Sequence, residues 1–435
     1  MDSLNSAIAI SPQRPSNRPL RVLYYIAYYQ RMAGANRSLF ELITHLPDTV
    51  TPLVVVAGEG LAAEAYRQAG IEVEVLPPGT ELNQFGKVML HWSLWKRAWV
   101  TATELLPYTS QCLTLLRAWQ PDLVHVNDGR GSLMIGPAAR LGGYPVVGHM
   151  RGQRPFTGIA QTIFETLSDR IVTVCSAIQS DLSPGAQRKA ITIYNGIRRV
   201  MPPAPPVPWL TALRARGVLI VSCFASVVPF KGHHHLLDAI AELNRRGWGD
   251  RVAVFCIGDL NANPDHVRWL MARQQTLGVQ NVTFTGWQSD PFAFYQATDI
   301  EVLPSVSQET LDYGDRTVEV TGNEGFPRTH LEAMAFGLPI VGTDIAGVHE
   351  QVSDGVNGFV VPPGDAIALA NALETLLSDA ELRSRMGEAG RDRVQRDFSS
   401  AAHVAAMVDL YQEMLSDRPR SRPVAATSRP STAAG

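Results

Sequence analysis

Short runs of apolar, β-branched residues alternate with longer amphipathic segments along most of the chain. From Leu20 onward, this alternation is typical of parallel β-sheets whose strands are joined by crossover helices. Seven such runs precede a proline-rich stretch and six follow it. The predicted strands lie at 21–29, 52–58, 71–76, 122–127, 145–150, 171–176 and 191–196, and then at 218–224, 252–258, 281–286, 299–305, 339–344 and 358–363.

The stretch between the two sets carries five prolines in the nine residues 201–209. Proline fits neither a sheet nor a helix interior, so a stiff linker is predicted over 201–212. The chain therefore divides into a disordered tail, a first domain, this linker, a second domain, a final helix and a second disordered tail. Their predicted bounds are 1–18, 19–200, 201–212, 213–397, 398–416 and 417–435.

Doubly wound sheets bind ligands outside the carboxyl ends of their strands. After the strand predicted at 299–305 the chain reads EGFPRTHLEAMAFGLPIVGTD. Pro327 suits the first position of a helix, which places Glu324 at the loop-to-helix junction and Glu332 more than one turn inside. Carboxylates accept hydrogen bonds from sugar hydroxyls, and a helix N-terminus holds phosphates, so the unit suits a nucleotide-sugar. For an isolated pair of acids at this spacing, a helix cap and a solvated residue would be the ordinary interpretation.

The longer stretch EGFP…LEAMAFGLPIVGTDIAGVHEQVSDGVNGFVVPPGD resembles the signature of the retaining family-4 glycosyltransferases, also called glycosyl transferases group 1. The resemblance implies an α/β protein with the GT-B fold, in which two doubly wound Rossmann-like domains face each other across a cleft. It implies that Glu324 is a catalytic residue that contacts the donor sugar, that Glu332 holds the nucleotide ribose, and that the final helix crosses back to the first domain. The intervening helix start would also bind the donor, through Phe326, Pro327, Arg328 and Thr329.

The segment ASVVPFKGHHHLLDA follows the first strand of the second set and resembles the donor-diphosphate motif of this family. Lys231 would be its lysine, a catalytic as well as a donor-binding residue. Family members commonly carry Gly-Arg five to six residues earlier, whereas this chain has Ala225 and Ser226, of which Ser226 is still expected at the donor. Either Arg328 or Arg316 replaces the missing cation, or stabilisation of the leaving group is weaker.

Further residues are assigned to the cleft by position and resemblance. His149 ends the run PVVGH within the strand predicted at 145–150 and is assigned as a catalytic residue that contacts the donor sugar, although a histidine at the edge of the core fits equally well. Arg151 is assigned to the acceptor side, where a solvated arginine is the alternative. Gly34 and Asn36 lie in a loop that resembles the GGAExSLxxL loop of the family and are assigned to the acceptor side too.

Three other features bear on the second domain. Gly286 and Trp287 occupy the place where the backbone of family members holds the base edge. The segment 306–323 is longer than in many relatives, and we expect a loop that covers the donor or shapes the acceptor side. The adjacent histidines at 233–235 are expected to point in different directions, so no metal site is assigned, and the family needs neither a metal nor another cofactor.

Composition and charge limit the partners and the cellular compartment that we expect. The net charge of −3 and a pI near 6.4 do not favour nucleic acid as a partner. Four scattered cysteines indicate reduced thiols in a cytoplasmic protein, and no run of 18 apolar residues is available to span a membrane. Trp92, Trp95 and Trp99 are predicted on one helical face, which either packs against the first sheet or touches the inner membrane surface at a lipid-linked acceptor.

The sequence thus predicts a hexosyltransferase that uses a nucleoside diphosphate sugar and a carbohydrate or lipid-linked hydroxyl acceptor, in polysaccharide or glycolipid assembly. One alternative is a relative that binds the donor with little or no turnover, because of Ala225 and Ser226. Another is a dinucleotide-dependent enzyme, although no strand runs into G-x-G-x-x-G. The base, the sugar and the acceptor stay open.

Overall fold

Two parallel sheets organise the protein. The computed structural model describes residues 18–32, 34–83, 92–152, 158–198, 204–322 and 324–416. Within them, the first sheet has the strand order β3-β2-β1-β4-β5-β6-β7 and the second β10-β9-β8-β11-β14-β15. The strands of the first sheet are β1 Leu20–Ile26, β2 Val50–Val56, β3 Glu72–Val75, β4 Leu123–Val126, β5 Val146–Met150, β6 Arg170–Thr173 and β7 Ala190–Thr192. Those of the second are β8 Leu219–Phe224, β9 Val252–Ile257, β10 Val282–Gly286, β11 Ile300–Leu303, β14 Ile340–Thr343 and β15 Gly358–Val361.

All thirteen strands predicted from the apolar runs are present, with ends that shift by up to four residues. The runs are apolar without interruption because helices cover both faces of each sheet. The five residues Val22 to Ile26 of β1, for example, are fully buried. Continuous apolar strands are what a parallel sheet between two helical layers requires.

Helices connect the strands and close both domains. In the first domain they are α1 Gly34–Thr44, α2 Leu61–Gln68, α3 Thr80–Asn83, α4 Leu94–Val100, a π-helical turn Thr101–Leu105, α5 Leu106–Trp119, α6 Gly129–Leu141, α7 Ile159–Leu167, α8 Ser176–Ser180 and α9 Pro184–Gln187. The rest are α10 Pro208–Ala215, a 3₁₀ turn Pro229–Lys231, α11 His233–Arg245, α12 Pro264–Leu277, α13 Phe292–Ala297, α14 Arg328–Phe336, α15 Val348–Gln351, α16 Ala366–Ser378, α17 Ala380–Asp397 and α18 Ser400–Ser416. None of these helices is long and apolar enough to cross a bilayer.

The predicted linker is partly helical. Helix α10 begins inside the predicted linker, because Pro208 occupies a first-turn position, where a missing N–H costs nothing. Residues 201–203 of that linker, and nearly all of both predicted disordered tails, lie outside the described residues. Helix α18 does return to the first domain, as predicted. Its buried stripe packs into the core around β1 through Val404, Met407, Val408 and Tyr411.

The two domains meet at a glycine contact beside the cleft. Gly152 of the first domain and Gly325 of the second form an isolated antiparallel bridge. A Cβ atom on Gly325 would lie 2.6 Å from the carbonyl oxygen of Arg151, which is closer than real contacts allow. Glycine at 325 is therefore required where the backbones of the two domains touch.

The segment predicted as a long loop at 306–323 contains a β-hairpin instead. Strands β12 Gln308–Asp312 and β13 Thr317–Thr321 pair antiparallel. The hairpin packs against the helical layer of the second domain, where Trp269 donates a hydrogen bond to the carbonyl oxygen of Asp312 at 2.9 Å. The loop prediction was wrong because the alternating apolar positions of TVEVT were not recognised as a strand pattern.

Candidate active site

A cavity of about 1140 Å³ lies between the two domains, beyond the carboxyl ends of strands β5 and β8. Of the fourteen residues that the sequence assigns to the site, twelve line this cavity. From the first domain they are Gly34, His149 and Arg151, and from the second Ser226, Lys231, Trp287, Glu324, Phe326, Pro327, Arg328, Thr329 and Glu332.

Lys231 and Glu324 form an ion pair at the cavity wall. Lys231 ends the 3₁₀ turn that follows β8, and Glu324 comes from the segment after the hairpin. Ser305 donates a second hydrogen bond to the Glu324 carboxylate at 3.2 Å. Gly232 holds the backbone at φ 69°, and a Cβ there would collide with the carbonyl oxygen of Pro304, so the chain can turn directly from Lys231 into α11.

Glu332 is buried on α14 with both carboxylate oxygens occupied. Arg328 donates to Oε1 at 2.9 Å, one turn earlier on the same helix, and the Tyr295 hydroxyl donates to Oε2 at 3.0 Å. Tyr295 also lines the cavity, and its ring stacks on Phe224 with centroids 3.6 Å apart. Burial and the adjacent Glu332 raise the pKa of Tyr295 well above its usual value, so it stays a hydroxyl donor. Sequence reasoning missed Tyr295, because no motif distinguishes it from a core tyrosine.

Pro327 lies one position earlier than the sequence predicted. Helix α14 begins at Arg328, and Pro327 precedes it as the capping residue. Its carbonyl oxygen accepts a hydrogen bond from the buried Gln351 side chain at 2.8 Å. The helix start, with Arg328 and Thr329, still faces the cavity as expected.

His149 is fully buried and belongs to a hydrogen-bonded chain. Its Nδ1 lies 3.2 Å from Nε2 of His125, whose Nδ1 lies 2.6 Å from the hydroxyl of Tyr411. His149 Nε2 has no hydrogen-bond partner among the described residues. Burial, reinforced by Arg151, holds the pKa of His149 well below its usual range, so the ring is neutral at pH 7. A free nitrogen of a neutral imidazole can form a hydrogen bond with a hydroxyl group of a ligand.

Arg151 is a partly buried cation that forms no ion pair with an acid among the described residues. Its Nε donates to Asn127 and its Nη1 to Asn195, each at 2.7 Å, while Nη2 has no hydrogen-bond partner among the described residues. Burial lowers the pKa of Arg151 to about 10, so it remains charged at pH 7. The two neutral amides orient the guanidinium without neutralising it, which leaves it suited to an anionic or strongly polar ligand.

Two assigned residues do not line the cavity. Asn36 uses its amide within the first domain, where it donates to the carbonyl oxygen of Arg31 at 2.8 Å and accepts from Asn127 at 3.3 Å. It therefore supports the loop instead of facing the cavity. Gly286 does not line the cavity, although its neighbour Trp287 does. The carbonyl oxygen of Gly286 accepts a hydrogen bond from the N–H of Gly258 at 3.1 Å.

Of the two arginines considered as the missing cation, only Arg328 reaches the cavity. Its Nη1 is buried and has no hydrogen-bond partner among the described residues. Arg316 lies on the hairpin and pairs with Asp265 at 2.6 Å and Asp315 at 3.0 Å. The proposal of Arg316 was therefore wrong, because its guanidinium is held by acids on the hairpin and at the start of α12, and Arg316 does not line the cavity.

The tryptophan face lies away from the cavity and has two members rather than three. Trp95 and Trp99 on α4 are 87% and 55% exposed, whereas Trp92 is 8% exposed and lies under the Lys96 ammonium. Residues 84–91 of the predicted segment lie outside the described residues.

Comparisons with known proteins agree with this architecture. The family described as Glycosyltransferase Family 4 matches residues 32–199, and the family described as Glycosyl transferases group 1 matches residues 215–393. An alpha-D-kanosaminyltransferase from Streptomyces kanamyceticus is 32% identical over 89% of this chain and 98% of its own. The capsular polysaccharide biosynthesis glycosyltransferase CapM from Staphylococcus aureus is 27% identical, over 46% of this chain and 47% of its own.

Among solved structures, HepE from Anabaena, in complex with UDP and glucose, superimposes with a TM-score of 0.74 at 21% identity. The match covers 91% of this chain and all of that one. The two-sheet fold, the interdomain cavity and the full-length relative together leave no support for a dinucleotide-dependent enzyme. This chain belongs to the glycosyl transferases group 1, and it is a glycosyltransferase with the GT-B fold.

Proposed function

We propose that this glycosyltransferase moves a sugar from a nucleoside diphosphate sugar to a hydroxyl acceptor, with retention at the anomeric carbon. One observation carries the proposal. The residues that line the cavity include His149, Arg151 and Arg328, and each has one buried side-chain nitrogen without a hydrogen-bond partner among the described residues: His149 Nε2, Arg151 Nη2 and Arg328 Nη1. A buried donor without a partner costs free energy, and a ligand rich in hydroxyl and phosphate oxygens supplies what all three lack.

The proposed donor-binding site lies in the second domain. Lys231 and the start of α14 offer positive charge and free N–H groups for the diphosphate. Glu332 accepts hydrogen bonds from the ribose and Glu324 from the sugar, beside Trp287 at the base. The complex of HepE with UDP and glucose supports a nucleotide-sugar in a fold of this kind.

How the acids are held supports a retaining route without a covalent intermediate. Among the described residues that line the cavity, Glu324 is paired with Lys231 and Glu332 with Arg328, while Asp128 accepts the N–H of Gly131 at 2.7 Å. A double displacement needs a carboxylate free to attack the anomeric carbon. We therefore favour a front-face route in which the leaving phosphate helps to deprotonate the acceptor.

Side chains supply the charge that this route needs. Lys231 and Arg328 would stabilise the negative charge that develops on the leaving phosphate. Arg328 would thereby replace the cation that Ala225 and Ser226 do not provide. The chain contains no D-x-D pair, and we propose that transfer requires no metal ion or other cofactor.

The acceptor is proposed to be a carbohydrate or a lipid-linked sugar in polysaccharide or glycolipid assembly. The relative CapM, named as a capsular polysaccharide biosynthesis glycosyltransferase, supports this proposal. A lipid-linked acceptor would bring the first domain to a membrane. The tryptophan face of Trp95 and Trp99 is exposed, and two leucines near it along the chain, Leu94 and Leu106, are 79% and 60% exposed. We propose that this face rests on the inner membrane surface of a cytoplasmic protein, whose four cysteines are buried free thiols.

The test has two stages. A thermal-shift screen of UDP- and GDP-sugars identifies the donor, with NAD as the negative control, and transfer to added acceptors is then followed by NMR of the anomeric proton. We expect one nucleotide-sugar to raise the melting temperature and the product to keep the configuration of the donor. Inverted product would overturn the retaining route. Binding without hydrolysis or transfer would favour the alternative of a donor-binding relative.

A further inference from the structure

Three potential metal ligands converge outside the cleft, where the hairpin crosses the start of α11. His234 Nε2 lies 3.0 Å from Oε1 of Glu309, and His235 Nε2 lies 2.8 Å from Oε2 of the same carboxylate. One ligand atom from each of the three side chains lies within 4.8 Å of the other two. Two imidazoles and one carboxylate are a common ligand set for zinc-class cations.

This convergence was not expected from the sequence. Successive residues of a helix are separated by about 100° around its axis, so adjacent histidines should diverge. His233 does so, since it is buried with its Nε2 3.7 Å from the Cys223 sulfur. His234 and His235 nevertheless reach one carboxylate, because β12 passes over the first turn of α11 and places Glu309 between them. The expectation that all three histidines point apart was wrong for these two.

Hydrogen bonding alone does not account for the cluster. His235 and Glu309 share a hydrogen bond, but His234 Nε2 and Glu309 Oε1, although 3.0 Å apart, do not meet in hydrogen-bonding geometry, and neither atom has another partner among the described residues. A cation between them would satisfy both atoms at once. The side chains of His235 and Glu309 are 16% and 18% exposed, which leaves an approach for the ion and for water as a further ligand.

We propose that His234, His235 and Glu309 bind a divalent cation of the zinc class. The site would be structural and separate from the transfer reaction. It would tie the start of α11, three residues after Lys231, to the hairpin that leads into Glu324. A cation there would hold together the two segments whose ends form the ion pair of the cleft.

Cobalt titration tests the proposal directly. Full-length protein without an affinity tag is treated with chelator and titrated with Co²⁺, whose visible absorption reports nitrogen and oxygen ligands, and Zn²⁺ is then added as competitor. We expect one equivalent to bind and Zn²⁺ to displace it. Glu309→Gln and His235→Asn should each weaken Co²⁺ binding by more than about tenfold, since even the loss of a supporting hydrogen bond costs about 10–100-fold.

The matched control is His349→Asn. His349 also contacts a carboxylate, that of Asp344 at 2.6 Å, but without a second histidine. This variant should bind Co²⁺ like the wild type. Glu309→Gln keeps the size of the side chain, and its far-UV circular dichroism should match the wild type.

Two results of the titration would contradict the metal site. Absence of Co²⁺ binding to the wild type, or equal binding by wild type and Glu309→Gln, would overturn the site. The readout is metal binding and not transfer, so neither result bears on the proposed reaction. If the site is correct, saturating Zn²⁺ should also raise the melting temperature of the wild type, because the ion binds the folded chain preferentially, and not that of Glu309→Gln.

Discussion

The hydroxyl of Tyr411, on the returning helix α18, lies 2.6 Å from Nδ1 of His125, on the central strand β4. His125 in turn contacts His149 at the cavity. If the tyrosine donates its proton to His125, then His125 donates to His149, and His149 Nε2 carries the hydrogen that a ligand oxygen can accept. With the proton in that direction, the last helix of the chain would set the tautomer of a cleft residue in the first domain.

Tyr411→Phe should therefore reduce turnover without removing any group that lines the cavity. The loss of a buried hydrogen bond costs about 1–3 kcal/mol of stability, and a mixed population of His149 tautomers should lower kcat by about tenfold. Transfer kinetics and urea unfolding measure the two effects. Tyr66→Phe is the matched control, since its buried hydroxyl has no hydrogen-bond partner among the described residues. Equal turnover in the two variants would contradict the relay.

Lys231→Ala should impair donor use severely. It removes the cation beside the proposed diphosphate and leaves the Glu324 carboxylate without its ion-pair partner. We expect kcat to fall by about 10²–10³, as for the loss of one group that stabilises a developing oxyanion. Lys231→Arg keeps the charge and should recover part of the activity. Turnover near that of the wild type in Lys231→Ala would refute the assignment.

Glu332→Ala should raise the donor concentration needed for half-maximal rate by about 10–100-fold, the range for a hydrogen bond to a charged group. It should also lower stability, because Arg328 and the Tyr295 hydroxyl lose their shared acceptor. Steady-state kinetics with varied donor measures the first effect. Glu319→Ala, on the exposed side of the hairpin, serves as control and should behave like the wild type.

Trp95→Glu should weaken association with anionic liposomes by placing a charge on the most exposed aromatic side chain of α4. The fold should be unaffected, because this side chain is 87% exposed. Leu141→Glu is the control, at a leucine 72% exposed on α6. Unchanged partitioning of Trp95→Glu in a flotation assay would remove the membrane proposal.

Acid should destabilise the protein through its buried histidines. Burial lowers the pKa of His403 from 6.5 to about 4 and that of His266 likewise, and that of His233 to about 3. Below about pH 6.5 the unfolded chain binds protons that the folded chain does not, so stability falls by about 1.4 kcal/mol per pH unit for each such histidine. The loss continues as pH falls toward the folded pKa, and above about pH 6.5 this contribution is constant.

Urea unfolding at pH 7 and pH 5 measures the slope. His403→Gln should reduce the pH dependence by one proton, because the folded chain holds the pKa of His403 at about 4. A stability that does not change between the two pH values would contradict the prediction.

Local patterns were enough for the framework of the protein. A parallel strand is buried on both faces, so its residues must be apolar in sequence, and each such run could be recognised without knowing its neighbours. The stripe of α18 was visible for the same reason. The hairpin at 308–321 was not predicted because most positions of its two strands are exposed or half-buried, so neither strand forms a continuous apolar run.

Residue type and position after a strand were enough to nominate most of the site. Lys231, Glu324 and Glu332 follow the carboxyl ends of strands, where parallel sheets bind ligands, and all three reach the cavity. Asn36 was assigned to the acceptor side although it does not line the cavity. A polar residue predicted in a loop can form hydrogen bonds with the backbone as readily as with a ligand.

The sequence by itself determined the two-domain α/β architecture and the motif residues of the cleft, because both depend on periodicity and on short stretches of chain. Only the tertiary structure decided which partners those residues have. The contacts of Tyr411 with His125, Tyr295 with Glu332, and Glu309 with two histidines join segments that are far apart along the chain or lie on different elements. Such contacts depend on how helices and hairpins pack, which no local pattern records.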